Sequence, residues 1–445
     1  MNTRSLTEQL ADWLLAEQKQ DMPANVLASA EYYLLDWLGS ALAGCVTGPG
    51  QALIAYAKGQ PVGRCSLIGV NDSGSAETAA LVNGGLSHIV EMDDLDRTSV
   101  THPGTVIIPA ALAVAQREGR SGRDLLHAIV AGYEVGIRIG EAVGRKHYFH
   151  FHNTATCGIF GSTAAAGWLL GLSREQLVWA LGNAGTMASG LWQFNAEGDM
   201  SKHLHAGMAA ANGVRAADLA ALNFTGARHI LEGERGFFAG MAPDATPDLV
   251  VAGLGEGYKI GMVSIKPHAS CRHTHPAIDA ALMVREQLNG SSITRVEIDS
   301  YQAALDLCDN DNPQTPYAAK FSLHYCVASA LLHGSAGLVD FTPDAMQKSQ
   351  IQALLRQTSV QVAPDLDDLY PVQWPARVRA TAADGNIYEA EVLDPKGDPE
   401  NALNSVEMEQ KFRQLAEYGG ADADKWLAWL DRLHSMESVS LSIVK

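Results

Sequence analysis

The sequence predicts a mainly α-helical protein in which a large all-helical domain is interrupted by a smaller α+β domain. Three observations carry that prediction. At 445 residues the chain exceeds what one compact core normally organises, so two domains are expected. From Glu77 to about Ala252, one Ala- and Gly-rich segment at helical spacing follows another. Near Gly253 the character changes to short alternating runs between helices, and from Ser405 to Leu433 helical periodicity returns. The expected division is 1–265, completed by 401–445, for the helical domain and 266–400 for the α+β domain. A cleft between them is the natural place for a small ligand.

Taken in order, Leu6, Leu10, Trp13 and Leu14, then Val26, Ala30, Leu34, Leu35, Leu38 and Ala41, mark two helices, with Pro23 opening the second. Gln51 to Lys58 makes a third. Cys65 to Val70 is a short β-like run ending at the Asn71-Asp72-Ser73-Gly74 turn. The following helices are expected over Glu77–Leu86, Val106–Glu118, Ser121–Gly144, Cys157–Leu170, Arg174–Ala188 and His205–Ala221. Gly171-Leu172-Ser173 reads as a helix stop followed by an N-cap. In the second domain Val296 and Ile298 alternate with polar neighbours, as do Val360 and Val362. Val378 to Val392 reads as a hairpin turned at Asp384-Gly385, and helices are expected over Pro276–Leu288 and Tyr325–His333. No internal repeat of fixed period is present.

Composition narrows the function. The formal charge of −18 and the lack of any Lys/Arg run argue against a nucleic-acid partner. An anionic substrate would have to be drawn in by a local positive pocket against the overall field. The six cysteines (Cys45, Cys65, Cys157, Cys271, Cys308, Cys326) are scattered without C-x-x-C pairs, which suits buried free thiols in a reduced cytoplasmic setting and not an iron–sulfur cluster. Met1-Asn2-Thr3-Arg4 leads into an amphipathic segment and not a signal region, and no uncharged apolar stretch of about twenty residues occurs. A cytoplasmic protein without a membrane partner is expected.

Polar clusters punctuate the helical chain. His88-Ile89-Val90-Glu91-Met92-Asp93-Asp94, followed by His102-Pro103-Gly104, sets acids and imidazoles between two buried helices, where acids acquire shifted pKa values or partners. An ordinary capping loop with exposed Asp93 and Asp94 is the alternative. His147, His150 and His152 alternate ahead of the Cys157 helix. They place an imidazole at a helix N-terminus, or form a metal tract, or belong to a His-rich surface loop. Lys202, in Asp199-Met200-Ser201-Lys202-His203-Leu204-His205, is either a solvated charge or, turned inward, a point cation for a carboxylate. Lys266, Arg272 and His275 open the second domain. Arg272 suits a bidentate carboxylate contact, and a solvated boundary linker is the alternative. Lys320 to Tyr325 reads as helix capping and packing. There is no Walker or Rossmann glycine loop in context, Gly182-x-x-Gly185 lying within a helix, and no G-x-S-x-G elbow. What remains points to proton transfer beside carboxylates.

In this order the clusters resemble the MmgE/PrpD family. The resemblance rests on H-x-x-E-M-D-D with T-H-P-G, the His152 segment ahead of T-x-T-x-G-x-F-G-x-x-x-A-A, M-S-K-H-L-H-A-G, F-T-G, C-R-H-T-H-P-A-I-D-A, K-F-S-L-H-Y-C and P-K-G-D-P-E-N-A-L, which together span essentially the whole chain. The family comprises 2-methylcitrate dehydratase, cis-aconitate decarboxylase and iminodisuccinate epimerase. The resemblance implies a cofactor-independent homodimer, without a metal, that has a large helical domain and a smaller α+β lid and acts on a small di- or tricarboxylate in the interdomain cleft. By motif it places site residues at Asp93 or Asp94, His102, His152, Lys202 and His275.

Two departures bear on the reaction: Leu95 stands where the decarboxylase branch commonly has threonine, in a loop one residue longer, and Asn153 stands where many relatives have proline. The expectation is therefore a hydro-lyase of the 2-methylcitrate dehydratase type, removing an α-proton and expelling a β-hydroxyl. His102 and His152 would be the acid–base pair, Asp93 or Asp94 would orient His102, and Lys202, Arg272, Lys266 and His275 would bind the substrate. The alternatives are decarboxylation of a cis-aconitate-like acid, epimerisation of an iminodisuccinate-like acid, and non-catalytic carboxylate binding.

Overall fold

The computed structural model describes residues 4–441, so Met1 to Thr3 of the N-terminal stretch and residues 442–445 of the closing segment lie outside the described residues. The chain divides into two compact units. One is Met1–Ile89 with Asp93–Val263 and Val406–Lys445, and the other is Val90–Met92 with Ser264–Ser405.

The first unit is helical and built around Gly158–Leu170, which is buried along almost its whole length. A helix apolar all round has no face for water and must be enclosed. Pro103–Glu118, Gly122–Ala142 and Ser201–Ala221 pack on it, and Ala76–Ser87 lies against Pro103–Glu118 and Ser201–Ala221. Small residues permit the close crossings. A Cβ at Gly207 would come within 2.2 Å of the Leu81 carbonyl oxygen, so Ser201–Ala221 can meet Ala76–Ser87 only through glycine there. That crossing sets the end of one helix, His88, beside the start of the other, with Lys202 and His205.

Ser75, Ser121 and Ser173 cap their helices by accepting from the backbone N–H three residues on. Several helices begin earlier than the apolar spacing indicates, two of them beside the polar clusters. Pro103 occupies the first turn, where it has no N–H to waste, and Ser201–Ala221 opens with Lys202 and His203, buried polar residues that a hydrophobicity pattern assigns to solvent. The Cys65 run shortens to Cys65–Ser66, antiparallel to Ser73–Gly74. The closing helices Ser405–Tyr418 and Ala423–Leu430 return to this unit, where Lys411 Nζ donates to the Asp36 carboxylate in a buried ion pair. Among the described residues no single helix is long and apolar enough to cross a membrane.

The second unit carries a four-stranded mixed sheet in the order Thr358–Val362, Ile293–Ser300, Ala376–Ala382, Ile387–Val392. The first pair is parallel and the others antiparallel. Ala376, Val378, Ala380 and Ala382 alternate inward, and helix His275–Leu288 packs on this strand and its neighbour, with Leu323–His333 packed on that helix. Gly385, at φ +88, makes the hairpin turn that the Asp384-Gly385 pair signals.

Candidate active site

Between the end of helix Ala76–Ser87 and the start of helix Pro103–Glu118, the two adjacent acids part company. Asp93 Oδ2 lies 2.6 Å from His88 Nδ1 and 3.0 Å from His102 Nδ1, so one carboxylate oxygen serves two imidazoles whose centroids are 4.9 Å apart. The His88 contact is a hydrogen bond, and a carboxylate only accepts, so the His88 proton is on Nδ1 and its Nε2 is the basic nitrogen, while His102 Nδ1 stands at ion-pair distance from the same oxygen. Asp94 turns away from that pair. It accepts from Tyr133 Oη at 2.7 Å and from the Gly104 backbone N–H at 3.0 Å. Burial first, and then Asp36, push its carboxyl well above the usual carboxylate range. Gly104 must be glycine, because a Cβ there would sit 2.7 Å from Tyr133 Oη and 2.9 Å from Asp94 Oδ1. Asp93 is thus the acid that meets histidine, and Asp94 anchors the first turn of the following helix.

His152 is positioned by backbone pairing. Its N–H donates to the Gly190 carbonyl at 3.0 Å, and Trp192 N–H returns to the His150 carbonyl at 3.1 Å. This sets Trp192 against His152, the centroids 5.0 Å apart and the planes tilted by 58°, with Phe194 at 6.1 Å. The His152 ring lies 5.5 Å from His88, nearly parallel at 14°, and 5.6 Å from His205. Burial, followed by His88, Lys202, His205 and His102, holds His152 well below the ordinary imidazole value. His205 is pushed down to about 4 by burial, then by His88 and Lys202. Lys202 is 3% exposed, and it acts on both rings from within this cluster.

The helical unit therefore brings together Asp93, His102, His152 and Lys202, with Asp94 behind them. The sequence reading missed His88 and His205 as site members, although both sit inside quoted motifs. A ring belonging to a motif does not reveal which way it points.

The other two members of the alternating histidine tract lie elsewhere. His147 spends both nitrogens, on the Met241 carbonyl at 2.9 Å and Thr156 Oγ1 at 2.7 Å, and His150 is exposed. The tract does not converge on a metal. Among the described residues, the donor set compact enough for an ion is His88, Asp93 and His102, within 4.8 Å of one another. Two imidazoles and a carboxylate could hold a divalent cation. The 2.6 Å between His88 and Asp93, however, is the spacing of a hydrogen bond with its proton in place.

Both sequence departures are structural. Leu95 is buried, and Asn153 Nδ2 donates to the Ser99 carbonyl at 2.8 Å, tying the His152 segment to the loop before His102.

In the α+β unit, Arg272 donates through Nη2 to the buried Asp398 carboxylate, and through Nη1 to the Lys396 carbonyl at 3.1 Å and His275 Nδ1 at 3.0 Å. A guanidinium never accepts, so His275 Nδ1 is the acceptor and its proton is on Nε2, which meets the Ser270 carbonyl at 3.2 Å. Burial, Arg272, His268 and Lys266 together hold His275 well below its ordinary value. The forked donors expected to clamp a substrate carboxylate are spent inside the unit, on a partner (Asp398) that lies far downstream in the P-K-G-D-P-E-N run. Lys266 is fully buried and paired with Glu91 at 3.1 Å, with Glu91 itself in the left-handed region at φ +59.

The MmgE/PrpD N-terminal domain matches residues 8–250, and the MmgE/PrpD C-terminal domain matches residues 268–433. The chain belongs to the MmgE/PrpD family. Among its relatives are a cis-aconitate decarboxylase-like protein, oryM, of Aspergillus oryzae, 29% identical over 93% of this chain and 90% of that protein. The cis-aconitate decarboxylases of Aspergillus terreus and Homo sapiens are each 27% identical. The first match covers 92% of this chain and 89% of its relative, and the second covers 96% and 90%. The two family domains leave residues 251–267 unmatched, and the first relatives align nearly end to end with this MmgE/PrpD chain.

Proposed function

We propose that this MmgE/PrpD enzyme is a lyase for a small polycarboxylate and that its reaction is loss of carbon dioxide from a cis-aconitate-like acid. The observation that carries the choice of reaction is the near full-length similarity to proteins named cis-aconitate decarboxylases. That similarity weighs more than the two sequence departures behind the dehydratase expectation, since Leu95 and Asn153 are accounted for by packing and loop tethering.

The chemistry suits the cluster. When a carboxylate leaves as carbon dioxide, its electron pair stays behind. In an acid with an adjacent double bond, that pair moves along the carbon chain, and a proton must arrive at the far carbon. His102, oriented by Asp93, supplies a positioned imidazole for that transfer. Lys202 and the surrounding imidazoles offset the negative charge of the remaining carboxylates in a water-poor site, where fixed charges act most strongly. The second reading is elimination of water, which uses the same imidazole as a base towards an α-proton.

Incubation with cis-aconitate and with hydroxy-tricarboxylates in deuterium oxide, followed by NMR, separates the two. Carbon dioxide release with one deuteron fixed in the product supports decarboxylation. Alkene formation from a hydroxy acid, without carbon dioxide, replaces it with dehydration. Inertness towards the whole panel removes both.

A further inference from the structure

Neither the family match nor the sequence motifs assign a role to His205. It lies three residues after Lys202 on helix Ser201–Ala221, a spacing that puts both side chains on one face. Its ring packs 5.6 Å from His152 and edge-on to Phe194 at 5.3 Å, and His152 in turn stacks on His88. Three imidazole nitrogens along this row, His88 Nε2, His152 Nδ1 and His205 Nδ1, are buried without a hydrogen-bond partner among the described residues. One buried orphan nitrogen is a tolerable cost. Three on contiguous rings, beside a buried lysine, form a surface with unused hydrogen-bonding capacity for something that arrives.

We propose that His205 is a substrate-contacting residue of this site, and that a polycarboxylate enters together with a proton taken up by the His152–His205 pair. The inference rests on the reading that the site takes a polycarboxylate. The groups facing His205 are Lys202 from its own helix, His152 from the segment after Phe151, and His88 from the end of Ala76–Ser87. His102 and Asp93 lie beyond His88, and the Trp192 and Phe194 walls carry no charge.

Burial and the neighbouring Lys202 hold His152 well below the ordinary imidazole value and His205 at about 4, so both rings are neutral at pH 7, and a neutral imidazole has one N–H to offer. A carboxylate within 4–6 Å moves a pKa by about 1–3 in the favourable direction. Two carboxylates are therefore enough to return a ring held at about 4 to near neutrality. Protonation then converts an orphan acceptor nitrogen into a second donor, which is what a carboxylate requires.

The test uses tricarballylate, a saturated tricarboxylate that has neither a double bond to assist decarboxylation nor a hydroxyl to lose. Its binding to the whole enzyme is measured by calorimetry in PIPES and in Tris at pH 7, and the dissociation constant is followed from pH 6 to 8. The expected result is uptake of about half a proton at pH 7, with affinity weakening about fivefold from pH 6 to 7 and about twofold from pH 7 to 8. His205→Gln should bind about tenfold more weakly with a flattened pH dependence, its fold checked by circular dichroism, and His205→Asn serves if Gln does not fold. Binding by wild type without proton uptake overturns the proposal and leaves the functional reading standing. So does a His205 variant with unchanged affinity and proton count. Failure of wild type to bind tricarballylate, citrate and cis-aconitate alike brings down the functional reading and this inference with it.

Discussion

His88, His152 and His205 in the helical unit, and Arg272 with His275 in the α+β unit, are clusters of the same residue types at similar depth. In the first, a nitrogen of each of the three rings is left without a partner, and one carboxylate oxygen is shared between His88 and His102. In the second, both nitrogens of His275 are engaged, and the terminal nitrogens of Arg272 are taken up by Asp398, two carbonyls and His275. The difference lies in the partners. A buried guanidinium whose charge is matched by Asp398 holds a fold together, although its Nε is left without a partner, whereas imidazoles with nitrogens to spare can act on something that arrives.

The sharpest break of this contrast is Asp398→Ala. It strands the Arg272 guanidinium, 3% exposed, without its counter-charge, and stability should fall by about 3–5 kcal/mol. A urea midpoint close to wild type would mean that Arg272 does not depend on Asp398, and the structural assignment of that cluster would fail. His102→Ala and Lys202→Ala should behave in the opposite way. Turnover is expected to drop by about a hundredfold or more, with a midpoint near wild type. Wild-type rates in either variant would remove that residue from the reaction.

How much of this could be read in the chain depends on what a one-dimensional pattern carries. The helices around Gly158–Leu170 and the hairpin at Asp384-Gly385 were legible, because apolar spacing and turn residues report directly on burial and backbone conformation. The start of helix Ser201–Ala221 was not, because its first buried residues are Lys202 and His203. The acid pair at 93 and 94 could be located but not divided. Which carboxylate meets His102 is decided by Tyr133 and the Gly104 N–H, and Tyr133 is some forty positions away. The pairing of Arg272 was hidden for the same reason, since its partner Asp398 lies 126 residues downstream.

The two acids give the next comparison. Asp94→Ala removes the acceptor of both Tyr133 Oη and the Gly104 N–H and should cost about 1–3 kcal/mol of stability. Asp93→Asn should lower turnover while leaving the urea midpoint nearly unchanged. If the two variants exchange these effects, the assignment of their roles is reversed.

The smallest expected effect concerns acid stability, and its sign follows from the buried rings. His152, His205 and His275 have folded values below the ordinary imidazole value, with His205 at about 4. Between that level and about 6.5 the unfolded chain binds protons that the native rings refuse, so these groups favour folding above about pH 6.5 and lose that contribution as the pH falls. Asp94 and Glu134 pull the other way, because burial raises both and the native state protonates them first. Wild type alone therefore mixes two opposing slopes, whereas the difference between wild type and His205→Gln cancels the carboxylates. Urea midpoints at pH 7, 6 and 5 should fall less steeply in the variant. Parallel lines would mean that His205 has the same proton affinity folded and unfolded, which would make it a solvated ring and place it with the spent nitrogens of the other unit.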